Sequence, residues 1–256
     1  MVAVQGSVLG PTLFNINSAS LKPLDSANHY FKYADDGYLI VPSSNVHTIR
    51  AELSHHSTWA AASNLHLNPS KTAEIIFSNK RSNQPPPTLG VTRVTSLKIL
   101  GFIVDNGLNF TLHIDSVLTS CGQSLFALRT MRQHGLSEQC LQMVFSSTII
   151  SRLLYAAPSF WGFLSMHNRA RVEAFLHRST KFGYYPLTGP DIATLEAFQE
   201  IKLFNSILDN PNHVLHHYLP PKKMGKHNLR QRSHDRVLPL KDDKKILSRL
   251  LFTDMY

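Results

Sequence analysis

Two adjacent carboxylates, Asp35 and Asp36, stand between the runs HYFKY and YLIV, with Gly37 directly behind them. Aromatic and β-branched residues on both sides of Ala34-Asp35-Asp36-Gly37 predict strand, tight turn and strand, which puts both carboxylates at a hairpin tip. Like charges at neighbouring positions raise each other's proton affinity unless a cation relieves them. Hard oxygen ligands suit Mg²⁺, which takes one or two carboxylates and fills its shell with water and substrate phosphates. That is the chemistry of phosphoryl or nucleotidyl transfer. An exposed Asp-Gly turn with no chemical role is the ordinary alternative for the same residues.

Other reactive side chains form weaker patterns. The 14 histidines include His213, His216 and His217, but no cysteine lies within about 70 residues of these and Asp209 alone does not complete a metal site, so a surface helix or loop is the better reading. Cys121 and Cys140 are too few for a disulfide framework or a four-thiolate zinc site and favour a reducing compartment; both fall on apolar helical faces, as small core residues do. Ser7 has no GxSxG context, which argues against a hydrolase.

The elements that must position the aspartates follow from periodicity. Residues 1–24 hold no acidic side chain and read as a loop, QGSVLGP, entering a helix at TLFNI. Val46, Ile49, Leu53 and Trp59 recur at helical spacing over 45–64. LHLNPSKTAEIIF turns at Asn68-Pro69 and resumes as a strand over 74–77, a Pro-rich loop follows, and VTSLKILGFIVD supplies short strands. Beyond Asn109 come long amphipathic helices, HIDSVLTSCGQSLFALRTMRQH, SEQCLQMVFSSTIISRLLYAA and NRARVEAFLHRSTKFGYY, then a tail rich in His, Lys, Arg and Pro with one last short helix near 244–252. The expected fold is α+β, with domains at 1–108, 109–210 and 211–256.

The 256 residues carry 26 Lys+Arg against 17 Asp+Glu, a net charge of +9, and 43% apolar residues, enough for a real core and too ordered a composition for a disordered or fibrous chain. The excess is C-terminal: residues 1–120 are net +1 and residues 121–256 net +8. A basic face of that size suits a polyanion, although a solvated surface would look the same. The N-terminus lacks the charge and apolar pattern of a signal peptide. FSSTIISRLLYAAPSFWGFL is interrupted by Arg152 and Pro158 and reads as buried helix plus turn, not a membrane span.

Four blocks in order, QGSVLGPTLFNI (5–16), KYADDGYLI (32–40), LHLNPSKTAEIIF (65–77) and SLKILGFIVDNGLNFTLHI (96–114), resemble the reverse transcriptase of non-LTR, LINE-type retrotransposons. SRLLYAAPSFW and KHNLRQRSHDRVLP resemble the C-terminal regions of the same elements. The resemblance implies an RNA-directed DNA polymerase: a partial palm, an antiparallel sheet with helices, followed by a helical thumb-like region. Asp35 and Asp36 would be the catalytic carboxylates holding Mg²⁺ or Mn²⁺. Gln5, Gly6, Ser7 and Lys71 would meet nucleotide and template, and Leu100 and Gly101 would grip the primer. Tyr33 and Ala34 would set the hairpin geometry. Arg129, Arg132, Arg152, Arg169, Arg171 and Lys181 would lie along the nucleic acid. RNA template, DNA primer and deoxynucleoside triphosphates are the implied partners, with no membrane, in nucleus or cytoplasm.

The family's third carboxylate lies upstream of the QGS block, whereas the first acidic residue here is Asp25, in a PLDSAN loop unlike the missing strand. Val4 replaces the Pro expected before Gln5, and no room is left for an endonuclease. The expectation is a C-terminal portion of such a polymerase, with metal bound incompletely, little activity alone, an exposed sheet edge and marginal stability. Two alternatives are a non-catalytic nucleic-acid-binding remnant, using Arg230, Arg232 and Arg236 on phosphates, and a remnant with no selected role.

Overall fold

A computed structural model describes residues 7–78, 84–223 and 234–253. The chain divides into two compact units, Met1–Thr95 and Ser96–Tyr256.

In the first unit, helix α1 (Gly10–Ser18) starts with Pro11 in its first turn, where a missing N–H costs no hydrogen bond. Strands β1 (His29–Tyr33) and β2 (Asp36–Ile40) form an antiparallel hairpin whose register pairs Tyr33 with Asp36 and Lys32 with Gly37. A 3₁₀ turn, Ser43–Thr48, leads into α2 (Ile49–Ala62). The chain between α1 and β1 is held from α2 by a buried carboxylate. Glu52 accepts from Leu24 N (3.1 Å), Asp25 N (3.0 Å) and Asn28 Nδ2 (2.8 Å). Burial opposes ionisation of Glu52, but the donors from Asp25, Asn28 and Leu24 together outweigh it and hold the carboxyl below its ordinary range. Lys32 Nζ reaches the C-terminal end of α1, donating to Ser18 O and to Leu21 O (3.1 Å), where a cation complements unpaired carbonyls.

The remaining strands of this unit are short. β3 (Ala73–Glu74) pairs in parallel with β4 (Thr92–Arg93), and Glu74 accepts from Thr88 Oγ1 (2.6 Å) and Arg93 Nε (2.8 Å). The strand expected over 74–77 is therefore two residues long, because Glu74 turns inward to hold the Pro-rich loop and pairing ends there. The mixed α and β character holds. In place of one antiparallel sheet the strands among the described residues form three separate pairs, one of them parallel. Phe31, Tyr33 and Ile40 are consequently exposed, apolar residues on a hairpin with no second sheet layer over it.

The second unit opens with β5 (Ser96–Ile99) and β6 (Phe102–Asp105), an antiparallel hairpin packed beside the 23-residue helix α3 (Thr111–Gln133). This places the hairpin with the helices, so the compact units part at Thr95–Ser96. Helix α4 (Glu138–Phe145) runs through a wide π turn (Ser146–Ile150) into α5 (Ser151–Leu154). The run breaks at Ala156, whose φ of 56° is left-handed, and restarts as α6 (Ala157–Phe160). Helices α7 (Met166–Lys181), α8 (Ile192–Asp209) and α9 (Ile246–Phe252) complete the unit. Ser137, Ser165 and Asp191 cap α4, α7 and α8 by accepting from Cys140 N, Asn168 N and Thr194 N.

Leu128, Leu141, Phe145, Ile149, Phe160 and Ile192 are fully buried and form the centre of the core, with Phe160 stacked on Phe110 at 5.3 Å. Glu138–Phe163 is the single stretch among the described residues long and apolar enough by length and composition to cross a membrane; here one side of it, Leu141, Phe145, Ile149 and Leu153, lies in that core. Cys121 is likewise buried, and burial pushes its thiol up to about 11. Cys140 differs from expectation: it is exposed, because the face of α4 that packs inward carries Leu141 and Phe145.

A smaller cluster, Phe204, Ile207, Leu219, Leu250 and Leu251, joins α8 to α9. Beside it lies a group of buried charges. Arg249 makes five hydrogen bonds: two to Glu200, including Nε at 2.9 Å, and one each to Pro158 O (2.8 Å), Asp243 O (3.1 Å) and Lys244 O (3.0 Å). Gly162 leaves the space for this guanidinium, since a Cβ there would stand 2.0 Å from Arg249 Nη1 and 2.4 Å from Asp243 O. One turn from Glu200, Glu196 is 4% exposed and its Oε1 has no partner, as is true of Arg169 Nε. Burial, with the adjacent Glu200 charge, pushes Glu196 up to about 8, against the opposing pull of Arg249 and Arg169.

Candidate active site

The two-residue turn between β1 and β2 is Ala34-Asp35, with Ala34 at φ 49°. Asp35 therefore sits on the turn and Asp36 is the first residue of β2. Both are exposed, as expected for a hairpin tip, and neither has a cation beside it among the described residues; Tyr38 Oη donates to Asp36 Oδ2 at 3.4 Å. Gly37 lies two residues beyond the place an Asp-Gly turn would give it, at the second position of β2. There it faces the Tyr30 ring, whose hydroxyl is 2.0 Å from where a Cβ would be, so a larger residue would have to displace that tyrosine.

Ser7 begins the approach to α1: its Oγ accepts from Leu9 N (3.3 Å) and its carbonyl from Gly10 N (3.1 Å). Gln5 and Gly6 lie outside the described residues. Lys71 ends a 3₁₀ turn, Pro69–Lys71, capped by Asn68, and its side chain is exposed. Ser7, Lys71 and the two aspartates make no hydrogen bond or ion pair with one another among the described residues. No group of three His, Cys, Asp or Glu side chains able to hold a metal occurs among them either. The donor set at the hairpin is thus two adjacent hard oxygen ligands, which fits a cation such as Mg²⁺ that draws its other ligands from water and substrate.

Leu100 and Gly101, in the second unit, form the β5–β6 turn with φ 46° and 96°. Tyr155 Oη donates to Leu100 O at 2.7 Å. A groove of about 600 Å³ beside the turn is lined by Lys98, Ser147, Thr148, Ser151, Arg152 and Tyr155 among others, with no carboxylate in its wall.

Four of the six basic residues singled out on the helices are engaged within the fold. Arg132 donates to Phe182 O (2.8 Å) and lies over the Tyr184 ring. Arg152 donates to Ser120 O (3.1 Å) and Ser124 Oγ (2.9 Å), Arg169 to Trp161 O (2.9 Å), and Arg171 to Asn168 Oδ1 (3.2 Å) and Asp115 Oδ1 (2.5 Å). Arg129 and Lys181 are exposed without a partner among the described residues. Arg236 donates to Pro220 O (3.1 Å), while Arg230 and Arg232 lie outside the described residues. His216 Nδ1 is 2.7 Å from Ile207 O and His213 Nδ1 accepts from Leu215 N, so both serve their own loop.

Residues 1–104, which contain the aspartate hairpin, match the family model described as reverse transcriptase (RNA-dependent DNA polymerase). Over that segment the chain resembles reverse transcriptases. The chain is also similar to the probable RNA-directed DNA polymerase from transposon BS of Drosophila melanogaster, 26% identical over 196 residues, which cover 69% of this chain and 21% of that relative. The RNA-directed DNA polymerase from mobile element jockey of Drosophila funebris is 29% identical over 127 residues (44% and 14%), and that of transposon X-element of Drosophila melanogaster, a probable one, 31% over 127 residues (45% and 14%). The chain thus spans about a fifth or less of the length of these relatives. No solved structure matches. The resemblance to non-LTR reverse transcriptases drawn from the four sequence blocks is borne out.

The sequence reading missed Tyr155 and the Glu196–Glu200 pair. Two acids four apart in the otherwise apolar run ATLEAFQEIKLF were the available signal for the pair.

Proposed function

We propose that this chain is part of a reverse transcriptase and contributes palm and thumb-like parts to RNA-directed DNA synthesis, with Asp35 and Asp36 binding a divalent cation against the phosphates of an incoming deoxynucleotide. The observation that carries the reading is the hairpin, with Asp35 on its two-residue turn and Asp36 opening β2, both exposed, within the family-matched segment. When bound there, Mg²⁺ or Mn²⁺ supplies charge neutralisation and activation of the primer hydroxyl. The chain's own residues do the rest. Asp35 and Asp36 hold the cation, and Ser7, with Gln5 and Gly6 before it, approaches nucleotide and template through backbone. Lys71 offers its ammonium to a phosphate, and Leu100 and Gly101 contact the primer end. Of the six helical cations singled out, Arg129 and Lys181 have no partner among the described residues and meet the RNA–DNA duplex, where backbone contacts read shape and not sequence.

As these 256 residues alone, the chain is expected to have little polymerase activity. Two-metal transfer uses a third carboxylate, and none joins Asp35 and Asp36 among the described residues. The test is primer extension on a poly(rA) template with Mg²⁺ or Mn²⁺, the chain against Asp35→Asn, alongside binding of an RNA–DNA primer–template. Background extension in both with salt-sensitive duplex binding is expected. Extension lost in Asp35→Asn would show a complete metal site, and failure to bind any duplex would refute the reading. A non-catalytic binding module, favoured by the exposed Arg129 and Lys181, would bind equally with Mg²⁺ absent and both aspartates replaced.

A further inference from the structure

We infer that Tyr155 is a positioning residue that fixes the β5–β6 turn in the shape it presents to a primer strand; this rests on the reading of that hairpin as the primer contact. Positive φ at both central residues joins two antiparallel strands with the correct twist, and such turns normally take Asn, Asp or Gly at the first position. Here that position is Leu100, at φ 46°. A bulky residue in the left-handed region is strained and persists only where its surroundings hold it.

Tyr155 supplies the hold. Its hydroxyl donates to Leu100 O at 2.7 Å, and its ring lies 3.3 Å from where a Cβ on Gly101 would stand. Gly101 is thus required twice, for its φ of 96° and for the room the ring takes. Tyr155 is itself aimed by a second left-handed residue, Ala156 at φ 56°, which ends the α4–α5 run. That break is secured by Ser159, whose N (2.9 Å) and Oγ (2.6 Å) both donate to Ala156 O. Tyr155 is 53% exposed, so burial of its ring does not account for its place. The groove alongside is lined by Lys98, by Arg152, whose guanidinium also donates to Ser120 O and Ser124 Oγ, and by five Ser and Thr residues, with no carboxylate to repel a sugar–phosphate strand. Held in this way, the turn keeps Gly101 in the wall of that groove.

The test uses the full chain and Tyr155→Phe, which keeps the ring and removes the hydrogen bond. Two readouts are needed. In NMR without nucleic acid, the Leu100 ¹³Cα shift and HN–Hα coupling should leave their left-handed values in the variant. In fluorescence anisotropy, an RNA–DNA primer–template with a recessed 3′ end is compared with a blunt duplex of equal length. The wild-type preference for the recessed end should fall to about parity in Tyr155→Phe, with the salt dependence unchanged. Gly101→Ala, which disturbs the turn from the hairpin side, should lose the same preference.

Left-handed values retained by Leu100 in Tyr155→Phe would overturn the inference, as would an intact end preference. Equal weakening on both duplexes with a lowered melting temperature would assign Tyr155 a purely structural role. If the wild type binds neither duplex, the primer-contact reading falls on its own account, and the NMR arm alone then decides whether Tyr155 holds the turn.

Discussion

Replacing Glu196 with Gln should stabilise the protein at neutral pH, against the usual direction of substitutions at buried charges. Glu196 is 4% exposed, one turn from Glu200 on α8, and Arg249 is already committed to Glu200. Burial and the Glu200 charge raise its folded pKa from 4.5 to about 8. A raised folded pKa means that this group's contribution is fully present below pH 4.5 and is lost as pH rises towards 8, because the unfolded chain ionises freely over that range and the folded chain does not. At about 1.4 kcal/mol per unit, the loss from pH 4.5 to pH 7 comes to roughly 3 kcal/mol. Gln keeps the shape and offers Glu200 an N–H in place of the shared proton. The variant should therefore gain up to roughly 3 kcal/mol at pH 7, a rise of about 6–10 °C in the melting of a unit this size. Urea unfolding at unit steps from pH 5 to pH 9, followed by helical circular dichroism, reads the difference directly. Wild-type stability should fall relative to the variant by close to 1.4 kcal/mol per pH unit up to about pH 8, then run parallel. A constant difference across the whole range would refute the reasoning, since it would mean that Glu196 is ionised throughout.

Gly162→Ala should destabilise the helical unit by about 1–3 kcal/mol, because the new methyl meets the backbone carbonyl of Asp243 as well as the Arg249 guanidinium; a thermal melt of the variant checks it. Lys181→Gln should weaken duplex binding and reduce the slope of log K against log salt by about 1 while leaving the melting temperature unchanged. Arg171→Gln should do the reverse, lowering the melting temperature through loss of its Asp115 and Asn168 contacts with little effect on the slope. Equal salt slopes for the two variants would show that the exposed cations are not the ones meeting phosphate.

The aspartate hairpin was legible because its signal is local: β-formers on both sides of a short turn need no help from distant chain, although the turn proper is Ala34-Asp35 and Asp36 and Gly37 belong to β2. The same holds for α3 and α7, whose apolar spacing sufficed. Strand β3 was overestimated because its length depends on Glu74 turning toward Thr88 and Arg93, contacts 14 and 19 residues away. The basic helical residues were legible as charge but not as surface. Arg132, Arg152, Arg169 and Arg171 spend their guanidinium groups on carbonyls and side chains supplied by other elements, and nothing in their own neighbourhood announces it. Cys140 failed for a simpler reason: α4 is apolar on more of its circumference than it buries. Glu196 and Arg249 belong to the same class, since their meaning depends on a contact made across the chain.

Arg249 also sets a clock on biosynthesis. It donates to Pro158 O across 91 residues, and its guanidinium lies in the space over Gly162. During translation at about 5–20 residues per second, roughly 5 to 20 s separate the emergence of Pro158 from that of Arg249. From the emergence of Glu200 until that of Arg249, 49 residues later, Glu196 and Glu200 lack their principal counter-charge, and the faces of Phe204 and Ile207 that later meet Leu250 and Leu251 stay open to solvent and to chaperones. The α8–α9 cluster is therefore late-closing on the ribosome, completed only when α9 arrives.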